Sequence, residues 1–152
     1  MESSSDIQLL SLKPFNYFYE VIDMTIAGIE LIEAAGTSAG NFDMNTLAIR
    51  DRIQSWSNIC NLRVVSADRA SVQINFDTLP KDMESFTAEI YSFCPDIIDQ
   101  GVGCVGEMIE EMGVPPNLVG LVEDIDFSND NYGLELLKRL ISRDRKVKLW
   151  WD

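Results

Sequence analysis

Histidine is absent from this 152-residue chain. That excludes histidine general acid–base catalysis, Ser-His-Asp and Cys-His nucleophilic sites, and every zinc site that uses imidazole. Cysteine is scarce. Cys60, Cys94 and Cys104 make an odd number with no CxxC spacing, so neither a disulfide framework nor a four-cysteine metal centre is expected. They read as free thiols in a reducing compartment. Positive charge is also short. Twelve Lys and Arg stand against 25 Asp and Glu, a formal charge of −13, which repels nucleic acid and anionic membrane and favours a basic protein partner. A long uncharged apolar run is missing as well. The most apolar stretch, Phe15–Ala35, carries Glu20, Asp23, Glu30 and Glu33, too many carboxylates for a membrane span. The opening Met1-Glu2-Ser3-Ser4-Ser5-Asp6 lacks the basic and apolar regions of a secretory signal. The expected location is therefore the cytoplasm.

What is present is core material. Hydrophobic residues make up 46% of the chain and aromatics 9%, enough for one globular domain over 1–152 and against wholesale disorder. Residues 1–13 read as a loose leader. Pro14 precedes a helix expected over Phe15–Ala35, with Gly36 as its stop. Its wide apolar face fits a core helix or a homodimer contact. A second helix is expected from Met44 to Asn58, since Ile49, Ile53 and Trp56 recur at helical spacing. Runs 61–67 and 70–77 read as a hairpin turning at Asp68-Arg69, with Val72, Ile74 and Phe76 alternating inward.

Pro80 is expected to open a third helix with Met83, Phe86, Ile90 and Phe93 on one stripe, ended by Pro95. A short helix should follow over Cys104–Met112, turning Val105, Met108, Ile109 and Met112 inward. Leu118–Val122 suits a strand or a helical turn. A last helix, Leu134–Ser142, should bury Leu134, Leu137, Leu140 and Ile141, and a strand over 146–151 should point Val147, Leu149 and Trp151 inward. The expected fold is α+β: a small, mainly antiparallel sheet, hairpin 61–77 plus strand 146–151, covered by about five helices.

Charge is distributed unevenly. No Lys or Arg occurs between Lys81 and Lys138, a window that holds thirteen acids, while Lys138, Arg139, Arg143, Arg145, Lys146 and Lys148 crowd the C-terminal end. One consequence is an electronegative docking face. The alternative is that the basic cluster folds back and cancels it. Glu107, Glu110, Glu111, Glu123, Asp124, Asp126 and Asp130 are the candidate contacts, with Tyr132 and Trp150 as candidate aromatic anchors.

Two shorter patterns carry chemistry of their own. Asp124, Asp126, Ser128, Asp130 and Glu135 have nearly the spacing of a calcium loop, although Asn129 stands where glycine is usual and Pro115-Pro116 spoils the entering helix. Calcium is the cofactor this alternative implies; otherwise none is expected. In Cys94-Pro95-Asp96-Ile97-Ile98-Asp99-Gln100-Gly101, the paired Asp96 and Asp99 suit acid–base work, a divalent ion, or capping of the next helix. Capping is the reading favoured. The surrounding negative charge opposes thiolate chemistry at Cys94.

The run Tyr91 to Gly101, with its Cys94-Pro95-Asp96-Ile97-Ile98-Asp99-Gln100-Gly101, and the closing Trp150-Trp151-Asp152 resemble an uncharacterised bacterial domain-of-unknown-function family. That family shows a tyrosine, C-P-D-(I/V)-(I/V)-D-Q-G, a short helix and a W-W-D strand. The resemblance spans about Leu47–Met112 and the last residues. It implies a fold and no reaction. An acidic insertion, about 113–132, and the first helix depart from it. Taken together, the expectation is a non-enzymatic, acidic cytosolic binding protein, an immunity-type inhibitor that neutralises a basic bacterial toxin domain. The alternatives are a Ca/Mg-binding domain or enzyme built on 124–135, and a dimeric structural or regulatory subunit joined through helix 15–35.

Overall fold

The computed structural model describes residues 25–152. The expected leader 1–13 and residues 15–24 of the first expected helix, with the dimer contact assigned to it, lie outside the described residues. In chain order the elements are α1 (Glu30–Ala35), α2 (Thr46–Ser55), β1 (Leu62–Ala67), β2 (Ser71–Phe76), α3 (Met83–Phe93), α4 (Asp96–Asp99), α5 (Val105–Met112), α6 (Tyr132–Asp144) and β3 (Lys146–Trp150). The strands form one antiparallel sheet in the order β1-β2-β3. This is the α+β fold expected.

Residues 25–29 are not helical, which corrects the expected helix over Phe15–Ala35. Ala27 makes a parallel bridge to Arg63, and its carbonyl accepts from Val64 N at 2.9 Å. Gly28 then turns at φ 81°, and a Cβ there would sit 2.0 Å from the Val64 carbonyl oxygen. Only glycine fits both the left-handed backbone and the close approach. The helix therefore starts at Glu30, and Gly36 ends it in the left-handed conformation.

Asn45 caps α2 by accepting from Ala48 N at 2.8 Å, and a 3-10 turn over Trp56–Asn58 extends it. Pro80 does not open α3, as the sequence suggested. Asp82 does, because its carboxylate accepts both Ser85 N at 3.0 Å and Ser85 Oγ at 2.7 Å. Asp96–Asp99 forms an additional helical turn directly after Pro95.

In the hairpin, the register shifts between Val64 and Ser66, so Val65 is the extra residue of a bulge. Val65 and Ser66 both face solvent as a result, and Ala67 returns to the core side. Asp68 N donates to the Ser71 carbonyl, so the turn encloses Arg69-Ala70, one position later than the Asp68-Arg69 expected.

The core lies against one face of the sheet. Val72, Ile74, Phe76, Val147, Leu149 and Trp151 are buried there, as their alternation predicted. A chain of edge-to-face aromatic pairs runs through it. Phe76–Phe86 centroids lie 5.7 Å apart, Phe86–Trp56 5.2 Å, Trp56–Phe93 5.8 Å and Phe93–Trp151 5.2 Å. Such contacts add to the burial energy of the rings themselves.

Two helices bury different residues than expected. Leu136, Leu137 and Ile141 are buried on α6, with Gly133, whereas Leu134 and Leu140 are half-buried, so the buried face is centred on 133, 136, 137 and 141. On α5 no side chain is buried, and Met112 is 75% exposed. The helix is amphipathic, but it rests at the periphery rather than over the sheet.

Candidate binding surface

The acidic stretch is built on α5 and the connection that follows it. Glu107, Glu110 and Glu111 project from α5, and all three are exposed. Gly113 leaves the helix at φ 78°, and Pro116–Leu118 makes one 3-10 turn that anchors the connection through buried Leu118. Beyond it, Glu123, Asp124, Asp126 and Asp130 are exposed, with Asp124 at φ 63°. Asp126 accepts Ser128 N at 3.0 Å and Ser128 Oγ at 2.5 Å, bonds that hold its carboxyl below the usual range. Tyr132 closes the segment. Its hydroxyl donates to the Gly103 carbonyl and accepts Gly106 N at 3.0 Å, and its ring meets Phe127 edge-on at 4.9 Å.

The basic cluster holds this segment without neutralising it. The Arg139 guanidinium donates to the Leu121 and Glu123 carbonyls at 2.8 and 2.6 Å, and Arg143 donates to the Asn117 carbonyl at 2.7 Å. Their side-chain partners are Glu135 and Asp144 on α6 itself. Lys138 bridges Glu135 at 2.8 Å and Glu84 at 3.7 Å. Arg145 donates to the Asp77 carbonyl. Among the described residues, none of the seven candidate contacts, Glu107, Glu110, Glu111, Glu123, Asp124, Asp126 and Asp130, forms an ion pair. Within the connection Arg139 and Arg143 reach backbone oxygens, and its carboxylates face solvent.

The same stretch displays apolar side chains to solvent, among them Met112, which the helical stripe had placed inward. Met112 is 75% exposed, Val119 66% and Val114 43%. Turn residues Gly113 and Pro115-Pro116 were the available signal, because a broken helix end cannot turn all its apolar neighbours inward. The expected anchors differ from this. Tyr132 spends its hydroxyl on internal bonds, and half-buried Trp150 belongs to β3, opposite Ser71.

Of the expected calcium-loop donors, Glu135 faces Lys138 and Arg139 at 2.8–2.9 Å, and Asp126 is engaged by Ser128. The described residues contain no convergent group of three or more metal-ligating side chains. Asp99 and Asp130, distant in sequence, do share a small polar cavity of about 240 Å³ with Tyr91. Tyr91 Oη donates to Asp99 Oδ1 at 2.7 Å, which raises the phenol's pKa.

The Cys94–Gly101 segment turns out to be a clamp on the last strand. Buried Asp96 accepts Gln100 Nε2 at 3.0 Å through Oδ1 and Asp152 N at 2.8 Å through Oδ2. Cys94 Sγ donates to the Trp150 carbonyl at 3.0 Å, and Trp151 Nε1 donates to the Phe93 carbonyl at 3.1 Å. Burial pushes the Cys94 thiol up to about 11, so at neutral pH it is a protonated donor rather than a nucleophile. Gly101 admits no Cβ, which would fall 2.3 Å from the Ile97 carbonyl oxygen. Neither Asp96 nor Asp99 caps α5, which has no side-chain cap. Their bonds run back to β3 and Tyr91 instead, because Asp96–Asp99 is itself a helical turn. The two sequence patterns, Cys94–Gly101 and Trp150-Trp151-Asp152, thus meet in space as one structural joint.

These features define a small α+β domain with a fastened C-terminal strand and an open acidic flank. Over residues 24–152 the chain matches the family described as Domain of unknown function (DUF4253), and it belongs to that family. The matched span includes segment 113–132. Neither the curated proteins nor the solved structures searched gave a match. Among the described residues, no helix is long and apolar enough to cross a membrane.

Proposed function

We propose that the protein is a non-enzymatic binding module of the cytoplasm whose acidic flank, α5 and the 113–131 connection, docks a basic protein. The specific reading is an immunity-type inhibitor that occupies the phosphate-binding surface of a basic bacterial toxin domain. The observation that carries it is the absence, among the described residues, of any ion pair on the seven exposed carboxylates, although Arg139 and Arg143 contact the backbone of the same connection. Unpaired like charges repel one another and cost stability, so their retention is explained by a cationic partner. Exposed Met112, Val114 and Val119 supply apolar contact area amid the carboxylates, the composition of an interface centre with a charged surround. Complementary charge would speed encounter with the partner.

The test begins with capture of the partner from the native host, followed by stopped-flow association of the purified pair over a salt series. A basic partner that binds more slowly as salt rises is expected. The triple variant Glu107→Lys, Glu111→Lys, Asp126→Lys should lower the association rate and flatten its salt dependence. A neutral or acidic partner, or a rate indifferent to salt, overturns the proposal.

A further inference from the structure

β3 is an edge strand, with β2 on one side only. Arg145 O accepts from Phe76 N, and Trp151 N donates to Ala70 O. The antiparallel alternation therefore directs the backbone groups of 147 and 149 to β2 and those of Lys146, Lys148 and Trp150 outward. The far end of this outer edge is occupied, since the Trp150 carbonyl takes the Cys94 thiol and Asp152 N takes Asp96. Beside the remainder runs a groove of about 360 Å³. Its apolar wall is Ile97, Val102, Leu137, Leu140 and Ile141, with Lys146 and Lys148 along the strand. Asp144, which also lines it, is held by two bonds from Arg143 at 2.7 and 3.1 Å. Neither lysine forms an ion pair within 4.0 Å among the described residues.

We infer that this edge and groove receive an extended acidic segment of a partner protein by strand addition. Its backbone would pair with the outward groups of Lys148, its carboxylates would meet Lys146 and Lys148, and its alternate apolar side chains would enter the groove. A second copy of the chain is the poorer occupant. Antiparallel pairing of β3 with itself sets the lysine-bearing faces opposite one another, the arrangement by which edge lysines block self-association. The site uses none of the acidic-flank residues, so its fate is independent of the proposal above.

The probes are two capped pentapeptides, one alternating glutamate with valine and one alternating lysine with valine. Each is titrated into the full ¹⁵N-labelled chain. The glutamate peptide should shift the amide signals of Lys148 and Trp150 and bind at least about tenfold more tightly than the lysine peptide. Lys148→Pro removes the outward N–H at a place where an edge strand tolerates proline, and it should abolish binding. The variant Lys146→Glu, Lys148→Glu should invert the preference between peptides, which decides the question even if the proline variant fails to fold. Unmoved 146–150 amides at millimolar glutamate peptide, equal binding of both peptides, or concentration-dependent self-association through β3 would overturn the inference.

Discussion

The joint between Asp96 and the last strand makes a quantitative demand. Asp96 is 6% exposed, and its two carboxylate oxygens each accept one hydrogen bond, from Gln100 Nε2 at 3.0 Å and from Asp152 N at 2.8 Å. Bonds to a charged acceptor contribute about 1.5–3 kcal/mol each, and the donors left behind at a buried position add their own desolvation cost. The two bonds share one acceptor group, so their sum is an upper bound. Asp96→Ala should therefore destabilise the fold by about 2–4 kcal/mol. For a chain of this length that corresponds to a melting temperature lower by roughly 4–16 °C. Asp96→Asn keeps the shape but turns an amide donor toward another donor, and it should recover only part of the loss.

Urea unfolding followed by tryptophan fluorescence measures the difference, since Trp151 lies beside the joint. Hydrogen exchange locates it, with the Asp152 amide of the variant losing its protection first. Asp99 provides the internal comparison. It is exposed and bonded to Tyr91 at 2.7 Å, so Asp99→Asn should cost under about 0.5 kcal/mol, as surface changes do. If Asp96→Ala costs no more than Asp99→Asn, or leaves protection of the Asp152 amide unchanged, the clamp is not what fastens β3.

The thiols should divide by exposure. Cys104 is exposed, whereas burial pushes Cys60 and Cys94 each up to about 11, so a thiol reagent should consume one equivalent from the native protein and three after unfolding. Acid should act through Glu135, whose carboxyl is held below its usual range by Lys138 and then Arg139. A carboxyl lowered in the folded state stabilises above its unfolded value and loses that contribution as pH falls through its folded value. Glu135→Gln should accordingly reduce stability at neutral pH and flatten the loss of stability below pH ~4.5; urea midpoints compared across that range, if parallel for the two proteins, would reject the assignment.

Sequence periodicity located the hairpin, β3 and the buried stripe of α3 because each depends on residues within one element. Phe86, Ile90 and Phe93 repeat with the helix, and Val147, Leu149 and Trp151 with the strand. The helix expected through 25–29 failed because its apolar pattern, Ile26 and Ile29 among others, is equally compatible with a turn packed on β1. What decides the matter is the contact of Gly28 with the Val64 carbonyl, 36 positions away in sequence. The inward face assigned to α5 held only in part, with Val105, Met108 and Ile109 half-buried and Met112 exposed. Val105, Met108, Ile109 and Met112 make a genuine stripe, but a stripe does not reveal whether a second layer exists to cover it. The Asp96 joint was hidden similarly. Two acids three apart invite a local reading as caps, and the partner that claims Asp96 is a backbone amide 56 positions away.

The placement of the basic cluster gives the charge asymmetry its structural meaning. Had Arg139 and Arg143 reached the carboxylates of the acidic connection, the flank would be a neutral, self-contained surface. They reach its carbonyls instead, at Asn117, Leu121 and Glu123. A guanidinium that grips the backbone orders the loop without discharging its side chains, since a carbonyl dipole takes up the donors and leaves each carboxylate unpaired. The α6 arginines thus do two things together: they fix 117–123 against the helix, and they leave Glu123 and Asp124 facing outward. Simple self-neutralisation accounts for neither the backbone grip nor the exposed apolar side chains at 112, 114 and 119. On the proposed function both features fit a preorganised acidic surface, because a loop already ordered by Arg139 and Arg143 would spend less entropy on binding a cationic partner.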